Sequence, residues 1–146
     1  MFKNVIFDID GTLADGSHRQ HHLEKVPKDW PTFLSLAHLD EPRQRVARLA
    51  RMLKLADAKL LMVTGRNEKF RQVTLSWFED YEIPCDGLFM RPDGDFRPDY
   101  VVKQEIYERD IQPHWPADLV IDDRSSVVKM WRSIGLECWQ VAEGDF

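Results

Sequence analysis

The sequence predicts an α/β fold in which helices cover a parallel sheet, and two patterns along the chain support that prediction. Short apolar segments bounded by turn residues recur at a spacing typical of strands. Amphipathic stretches with the 3.6-residue period of helices separate them. Strands that alternate with helices favour a parallel sheet with right-handed crossovers. The five predicted strands lie near residues 4–8, 59–64, 87–90, 119–122 and 137–141.

Three helices between these strands are predicted from apolar stripes. Each stripe repeats at intervals of three and four residues, which places its members on one helical face toward the core. We therefore expect the aromatic and methionine members to be core residues and not a cofactor site. The stripes are Val46, Leu49, Ala50 and Leu53; Phe70, Val73, Trp77 and Phe78; and Val127, Met130, Trp131 and Ile134.

One segment, residues 13–42, interrupts the alternation. It is too long for an ordinary strand-to-helix loop and has helical and apolar content of its own, which predicts a small cap inserted after the first strand. Its basic and histidine side chains concentrate positive potential in an otherwise acidic protein, and such a potential suits an anionic substrate. These side chains are His18, Arg19, His21, His22, Lys25 and Lys28.

Two features of this segment leave alternatives open. His18 could share a helical face with His21 and His22 as metal ligands, but surface histidine clusters are common and no cysteine or carboxylate completes such a site. Trp30, which precedes Pro31, is either an anchor for the cap or a platform for base stacking. Of the two roles for Trp30, we expect the anchor.

Composition bounds the class of protein. With 146 residues and 43% hydrophobic content, residues 1–146 fit a single domain with a sizeable core. A formal charge of −5 and a pI of about 5.5 argue against a nonspecific nucleic-acid coat, although a local basic pocket could hold a phosphate. Cys85 and Cys138 form no C-x-x-C pair, and no signal peptide or membrane-spanning run is visible. We expect a reducing, cytoplasmic location and no membrane partner.

Two carboxylates, Asp8 and Asp10, come at the end of the first predicted strand. Residues two apart on a regular strand point to the same face, and Gly11 lets the backbone turn tightly after them. Two crowded acids need a cation. A divalent metal would meet that need and leave one carboxylate to attack phosphorus and the other to move a proton. Taken alone, Asp-x-Asp-Gly could be only a turn.

Three further segments place hydroxyl or charged groups after predicted strands. In open α/β sheets the ligand crevice lies outside the carboxyl ends of the strands. We therefore expect these groups to converge on one site with the first two carboxylates. The segments are Val63-Thr64-Gly65-Arg66, the region of Lys103, and Ile121-Asp122-Asp123-Arg124.

The set and order of these four motifs resemble the haloacid dehalogenase (HAD) superfamily of aspartate-nucleophile phosphatases. Within it, Gly65-Arg66, Asp99 four residues before Lys103, and the closing segment 121–146 resemble the 3′-phosphatase domain of the bacteriophage-type polynucleotide kinase/phosphatase. The likeness covers most of the chain. It implies a Rossmann-like, HAD-like parallel sheet flanked by helices, with residues 13–42 at the first cap site of the superfamily.

The resemblance also implies a mechanism and a cofactor. Asp8 is the implied nucleophile, which forms an aspartyl-phosphate, and Asp10 the general acid and base. An acid role requires a pKa of Asp10 above its reference value, which neighbouring carboxylates would promote. Lys103 is implied to neutralise the phosphoryl oxygens and to hold Asp8 ionised. Mg²⁺ is the implied ion, with Asp8, the Asp10 carbonyl and either Asp122 or Asp123 as ligands. Of that pair we prefer Asp122 for the direct contact.

Substrate-binding residues follow from the same resemblance. Thr64 and its neighbour Gly65 are implied to contact the phosphoryl oxygens. Arg66 offers a planar guanidinium for bidentate phosphate contact, unless it is a surface arginine at a helix start. Arg19, eleven residues after Asp8, matches a functional cap-loop arginine, unless it is solvated.

Three charged residues near the motifs have more indirect expected roles. Asp99 is expected to cap the helix that carries Lys103, or to orient Lys103 and Arg66, or to do both. Arg124 and Asp145 are expected to be structural, because salt bridges and turn contacts explain them.

Three functions therefore stand as hypotheses. The first is a 3′-phosphatase acting on DNA or RNA ends, and the second is a phosphatase of nucleotides or other small molecules. The third, a non-catalytic phosphate-binding module, is disfavoured because Asp8 and Asp10 are both present. No G-x-x-x-x-G-K-[ST] motif occurs, so we expect a free-standing phosphatase domain or a fragment without the 5′-kinase half.

Overall fold

A computed structural model describes residues 1–146, and it confirms the predicted α/β fold. Five strands form one sheet, and every hydrogen-bonded pair of neighbours in it is parallel. The strands are β1 Asn4–Phe7, β2 Ala14–Asp15, β3 Glu41–Pro42, β4 Lys59–Asn67, β5 Gly87–Arg91, β6 Leu119–Asp122 and β7 Cys138–Gln140. Those of the sheet lie in the order β5-β4-β1-β6-β7. The two short strands β2 and β3 form a separate antiparallel pair.

Four of the five α-helices cover the sheet, two on each face, and the fifth lies within residues 13–42. Alternate strand residues point to opposite faces, so Val5 and Phe7 pack with the two helices α2 and α3, whereas Ile6 packs with α4 and α5. A five-residue π-helical segment, Tyr107–Ile111, continues α4 and adds Tyr107 and Ile111 to the core on the Ile6 side of the sheet. The helices are α1 Trp30–Ser35, α2 Gln44–Leu55, α3 Arg71–Asp80, α4 Asp99–Ile106 and α5 Ser125–Ser133.

One predicted stripe differs from the structure at two positions. Val73 was expected in the core but is 40% exposed, and Phe70 lies just before α3 and not within it. The helix begins at Arg71, and its buried face carries Thr74, Trp77 and Phe78. Because the helix begins one residue after Phe70, the predicted stripe does not coincide with the helix face that packs on the sheet.

Residues 13–42 contain several short elements. The strands β2 and β3 bring the two ends of the segment together, and α1 and two 3₁₀ turns, Ser17–Leu23 and Ala37–Leu39, lie between them. The segment thus leaves and rejoins the main domain at one place, as an insertion would. Its function as a cap stays a prediction.

The carboxyl end of β4 is irregular, and the irregularity matters for the site. Thr64 pairs with Met90, yet the next pair joins Asn67 to Arg91, so two residues of β4 bulge out of register. A bulge of this kind re-aims the side chains within it. It lets Arg66 turn toward the end of β1.

The strand order places a topological switch point between β1 and β6. From β1 the chain passes to β4 and β5 on one side of the sheet, and later to β6 and β7 on the other. Ligand crevices of open α/β sheets lie at such points, outside the carboxyl ends of the two strands. Asp8 follows β1, and Asp122 and Asp123 lie at the end of β6.

Both cysteines are free, and burial raises the pKa of Cys85 to about 11 and that of Cys138 to about 12. Because the thiolate is the reactive form, we expect both to resist iodoacetamide at pH 7.5 and to react faster as the pH approaches 11. Mass spectrometry of native and urea-unfolded protein measures this. Equal labelling rates in the two states would contradict it.

No helix has both the length and the apolar character needed to cross a membrane.

Candidate active site

Three buried carboxylates meet at the switch point. Oxygen atoms of Asp8, Asp122 and Asp123 all lie within 4.8 Å of one another. All three residues are at least 95% buried, the most exposed being Asp8 at 5%. Burial and the two neighbouring acids raise the pKa of Asp8 well above its ordinary value, and burial raises that of Asp123. The triad therefore holds more negative charge than the protein around it balances.

Lys103 is the cation that the protein supplies to this triad. Its Nζ donates to Asp8 Oδ1 at 2.8 Å and to Asp122 Oδ2 at 3.1 Å, and its side chain is 2% exposed. Burial acts to lower the pKa of Lys103, but Asp122 and Asp8 outweigh it and raise the pKa. One ammonium faces three acids, so its pull on Asp8 does not offset burial and the two neighbouring acids. The set of hard oxygen donors fits a divalent cation.

Three further residues hold the triad in place: Thr12 and Trp131, for which the sequence predicts no role at the site, and Gly11, for which it predicts only a tight turn. Thr12 Oγ1 donates to Asp8 Oδ2 at 3.0 Å and lies 3.3 Å from Asp123 Oδ1. Trp131, predicted only as core, donates its indole N–H to Asp122 Oδ2 at 3.1 Å. Gly11 has a φ of +82°, and a Cβ there would collide with the Asp123 carboxylate. The Gly-Thr that follows Asp10 was the available signal for two of them.

Asp10 does not join the triad, although a regular strand would have placed it beside Asp8. β1 ends at Phe7, and the Asp10 carboxylate faces two guanidiniums instead. Arg66 donates through Nε to Oδ2 at 3.0 Å and through Nη2 to Oδ1 at 2.8 Å. Arg19 donates through Nη2 to Oδ1 at 2.5 Å. Asp10 is 28% exposed at its side chain, and both arginines are buried beneath it.

The two arginines set the pKa of Asp10. Burial acts to raise this pKa, but Arg66 and Arg19 outweigh it and hold it well below the ordinary value of an aspartate. The prediction that neighbouring carboxylates raise it is therefore wrong for this arrangement. The nearest charges are positive, and they stabilise the ionised form.

Arg19 is fully buried, so the alternative of a solvated side chain is wrong. Its Nε donates to Asp40 Oδ1 at 2.8 Å and its Nη2 to Asp40 Oδ2 at 2.6 Å. The guanidinium also lies over the Phe33 ring, 4.1 Å from its centroid. Asp40, fully buried itself, accepts a further bond from His18. No sequence pattern marked Asp40.

Thr64, Gly65 and Arg66, at the carboxyl end of β4, also lie at the active site. Arg66 is buried, which excludes a solvated arginine at a helix start, and its Nη1 donates to Thr74 Oγ1 at 3.2 Å. Thr64 is fully buried, and its hydroxyl oxygen accepts from the Arg66 N–H at 3.1 Å. Gly65 adjoins Asp99 so closely that a Cβ would overlap the Asp99 carboxylate.

Asp99 does not cap the helix of Lys103. It is the first residue of α4, the N-cap is Pro98, and no side-chain bond closes that end of the helix. Its carboxylate binds Arg91 and Arg124 instead of Arg66, with Arg124 Nη1 at 2.8 Å from Oδ2. Asp99 therefore fixes two arginines at the edge of the site. Arg124 contacts Asp99 and the carbonyl of Phe146, as expected for a structural residue.

One cavity of about 710 Å³ unites the site. Seven acidic and seven basic side chains line it, in a chain whose formal charge is −5. Of the predicted site residues, all line this cavity except Thr64, which lies beneath Arg66. The lining acids and bases are Asp8, Asp10, Asp15, Asp95, Asp99, Asp122 and Asp123, with Arg19, Lys28, Arg66, Arg91, Arg97, Lys103 and Arg124.

The histidines of residues 13–42 form no metal site. His18 binds Asp40, and the rings of His21 and His22 stack with centroids 4.0 Å apart. The Asp8, Asp122 and Asp123 triad is the sole cluster of acids, histidines or cysteines with the geometry of a metal site. Trp30 was expected to be an anchor; it packs edge-on against Phe33, yet it is 44% exposed and lines the cavity.

Residues 2–146 match the sequence family described as the polynucleotide kinase PNKP phosphatase domain, HAD_PNKP. The chain belongs to this family. It is a HAD-family phosphatase domain, as the four motifs indicated, and the triad and Lys103 lie where those motifs meet. Its overall fold also resembles a hydrolase from Streptococcus pneumoniae TIGR4, with a TM-score of 0.64 at 15% identity over 97% of this chain and 94% of that one.

More similar relatives are longer proteins. A protein of Autographa californica nuclear polyhedrosis virus, assigned as a bifunctional polynucleotide kinase/RNA ligase, is 31% identical over 132 residues, which make up 89% of this chain and 18% of the viral protein. A chain of the Pnkp1/Rnl/Hen1 complex superposes with a TM-score of 0.87 at 34% identity, over 99% of this phosphatase domain and 47% of that chain. The domain thus spans less than half the length of these relatives.

Proposed function

We propose that this domain is a Mg²⁺-dependent phosphomonoester hydrolase that removes 3′-phosphate from polynucleotide ends through an aspartyl-phosphate. The observation that supports it best is the position of Asp8. Its carboxylate lies in the acidic triad, bound by Lys103 and Thr12, at the base of a cavity that Arg19 and Arg66 also line. A nucleophile held between a metal site and phosphate-binding cations is what this chemistry needs.

In the first step, an oxygen of Asp8 forms a bond to phosphorus while the bond from phosphorus to the 3′ oxygen breaks. The electron pair stays on the 3′ oxygen, which takes a proton from Asp10 and becomes a hydroxyl. In the second step, water gives a proton to Asp10 and attacks phosphorus. The bond to Asp8 then breaks, and inorganic phosphate leaves.

The proton role of Asp10 has to be reconciled with the two arginines that lower its pKa. Arg66 and Arg19 are also the cations proposed to bind the phosphate. When their N–H groups donate to phosphate oxygens, Asp10 loses the donors that stabilise its charge, and its pKa rises. Substrate binding would thereby prepare the acid that the first step requires.

The residues around the triad fit a bound Mg²⁺. When bound, the ion would screen the negative charge of the triad and of the phosphate. Asp8 and one of the two β6 acids would be its carboxylate ligands, with the carbonyl of Asp10. Asp122 already accepts from Lys103, Trp131 and the Asp123 N–H, whereas Thr12 Oγ1, which lies 3.3 Å from Asp123, donates its proton to Asp8. The hydrogen bonds thus favour Asp123 for the direct contact, and not Asp122 as expected from the sequence.

The identity of the substrate is tested by a panel of phosphomonoesters. The panel compares a 3′-phosphorylated oligonucleotide, nucleoside 3′- and 5′-monophosphates and a sugar phosphate, with kcat/KM as the readout. We expect the oligonucleotide to be the best substrate. The net charge of −5 is the observation that favours the alternative, a nucleotide or small-molecule phosphatase. A preference for any small phosphomonoester would select that alternative and leave the Asp8 mechanism in place.

Metal dependence is a prediction of its own. EDTA is expected to abolish activity and Mg²⁺ to restore it, because three buried carboxylates and a phosphate repel one another without a cation. Mg²⁺ alone is also expected to raise the Tm, since an ion that binds only the folded state stabilises it. Full activity after exhaustive chelation, checked by metal analysis, would contradict the prediction. Asp57→Asn, an exposed site, serves as the control that keeps the metal response.

The two free thiols support a reducing, cytoplasmic location. We further propose that the domain acts in nucleic-acid repair. Two relatives that align with most of this domain are named as a polynucleotide kinase/RNA ligase and as part of the Pnkp1/Rnl/Hen1 RNA repair complex.

A further inference from the structure

Two aromatic side chains at the rim of the active-site cavity are exposed. Phe96 is 92% exposed and Trp30 44%, and both line the cavity that ends at Asp8. They come from separate parts of the chain: Phe96 from residues 92–98 between β5 and α4, and Trp30 from the first turn of α1. Leaving a large apolar ring in water forgoes the stabilisation that its burial would give. The exposure of both rings at the mouth of this cavity therefore suggests a contact with a ligand.

The loop around Phe96 has a defined shape that keeps this ring outside. Arg91 Nη1 donates to the carbonyls of Asp95 and Arg97 at 3.0 and 2.6 Å. The Arg97 guanidinium binds the Asp95 carboxylate, with Nη2 at 2.7 Å from Oδ2, and Nη1 lies 2.6 Å from Glu105. Both neighbours of Phe96 are therefore held by hydrogen bonds. The ring points into solvent because of the fold, and it is pre-organised for a contact.

The three exposed aromatic residues at the rim differ in what lies against their rings. The ring of Phe146 is covered by the Arg124 guanidinium, 5.0 Å from its centroid. Phe96 makes no aromatic or cation–π contact in the chain. Trp30 contacts Phe33 in a T-shaped arrangement, and the Lys28 ammonium lies over its ring, 5.9 Å from the centroid. A base that stacks on Trp30 would displace this ammonium or use the opposite face, and the ammonium could then meet a phosphate of the bound strand.

We propose that Phe96 and Trp30 are stacking platforms for the bases next to the terminal 3′-phosphate of a single-stranded polynucleotide. The inference rests on the proposed function and specifies its substrate. A cavity of about 710 Å³ has room for a nucleotide as well as a phosphate, since pockets of roughly 300–1,000 Å³ hold drug-sized ligands. Every base has a π face, so stacking holds a strand without fixing its sequence. Unpaired bases offer those faces, whereas bases inside a duplex do not.

The test compares two oligonucleotides with a 3′-phosphate, one normal and one with abasic sites at its last two positions. For Phe96→Ala and Trp30→Ala, kcat/KM on the normal strand is expected to fall roughly 5- to 100-fold, the effect of losing one base–aromatic stack. On the abasic strand the same variants are expected to match the wild type. Phe96→Tyr keeps the ring and is expected to keep the activity. Leu55→Ala, at an 86% exposed site in α2, is the remote control.

A binding measurement provides a second readout. With 2-aminopurine as the penultimate base, fluorescence is expected to be quenched on binding and the quenching to be lost in Phe96→Ala. An equal loss of kcat/KM on both strands would overturn the proposal in favour of a loop distortion. Wild-type kinetics and quenching in both alanine variants would also overturn it, and would leave a protein contact as the use of this rim. In either case the wild type still cleaves the 3′-phosphate. If the wild type prefers small phosphomonoesters, the proposed function itself fails.

Discussion

Replacing Asp8 with asparagine is expected to lower kcat by at least about 10³-fold while the protein stays folded, because loss of a covalent nucleophile removes the reaction path itself. The fold is expected to survive since asparagine has the same shape and still accepts a bond from Lys103 or Thr12. It also removes one charge from a triad that is crowded with acids. The measurement is steady-state kinetics on the 3′-phosphorylated oligonucleotide, with circular dichroism to confirm folding.

A matched control for this variant is Asp57→Asn. Asp57 is exposed and has a φ of 64°, a conformation that asparagine adopts well. Its activity is expected to equal that of the wild type. A well-folded Asp8→Asn protein with undiminished turnover would exclude Asp8 as the nucleophile.

Replacing Asp40 with alanine is expected to destabilise the protein by about 3–5 kcal/mol, the range found when one member of a buried ion pair is removed. The reason is that Arg19 is fully buried and would keep its charge with only Asp10 as a partner. Without Asp40 the Arg19 guanidinium would no longer be held in place, and its contact with Asp10 would change. We expect kcat/KM to fall as well, even at temperatures at which the variant is folded.

Urea unfolding of Asp40→Ala measures the loss of stability. Asp40→Asn keeps one acceptor for Arg19 and is expected to lose less. The control is Glu41→Ala, because Glu41 is the exposed next residue along the chain. An unfolding free energy within about 0.5 kcal/mol of the wild type for Asp40→Ala would contradict the prediction, since that is the range of neutral surface changes.

The sequence could predict the sheet and the meeting of its motifs because both follow from local pattern. Asp8, Asp122 and Asp123 directly follow or end short apolar runs, and parallel strands bring such positions to one edge of the sheet. Lys103 also reaches this site, but it lies within α4 and not directly after a strand, and its expected role comes from the family resemblance.

Other parts of the site depend on tertiary contacts that leave no local pattern. Asp40 pairs with Arg19, which lies 21 positions earlier in the chain, and nothing in the spacing marks the two as partners. The direction of Arg66 depends on a bulge in β4, so its ion pair with Asp10 could not be foreseen. The exposure of Phe96 likewise depends on how Arg91 ties its loop.

The catalytic acids and the exposed rings of the cavity come from different parts of the chain. The nucleophile and the acids beside it are fixed to β1 and β6, in the middle of the sheet, where any shift would disturb both cores. The exposed rings at the cavity mouth belong to residues 13–42 and to the loop 92–98, which lie outside the sheet. The loop 92–98 can therefore be exchanged between relatives to retarget the catalyst. An exchange of residues 13–42 has to keep Arg19 and Asp40, because Arg19 contacts the Asp10 carboxylate and Asp40 binds Arg19.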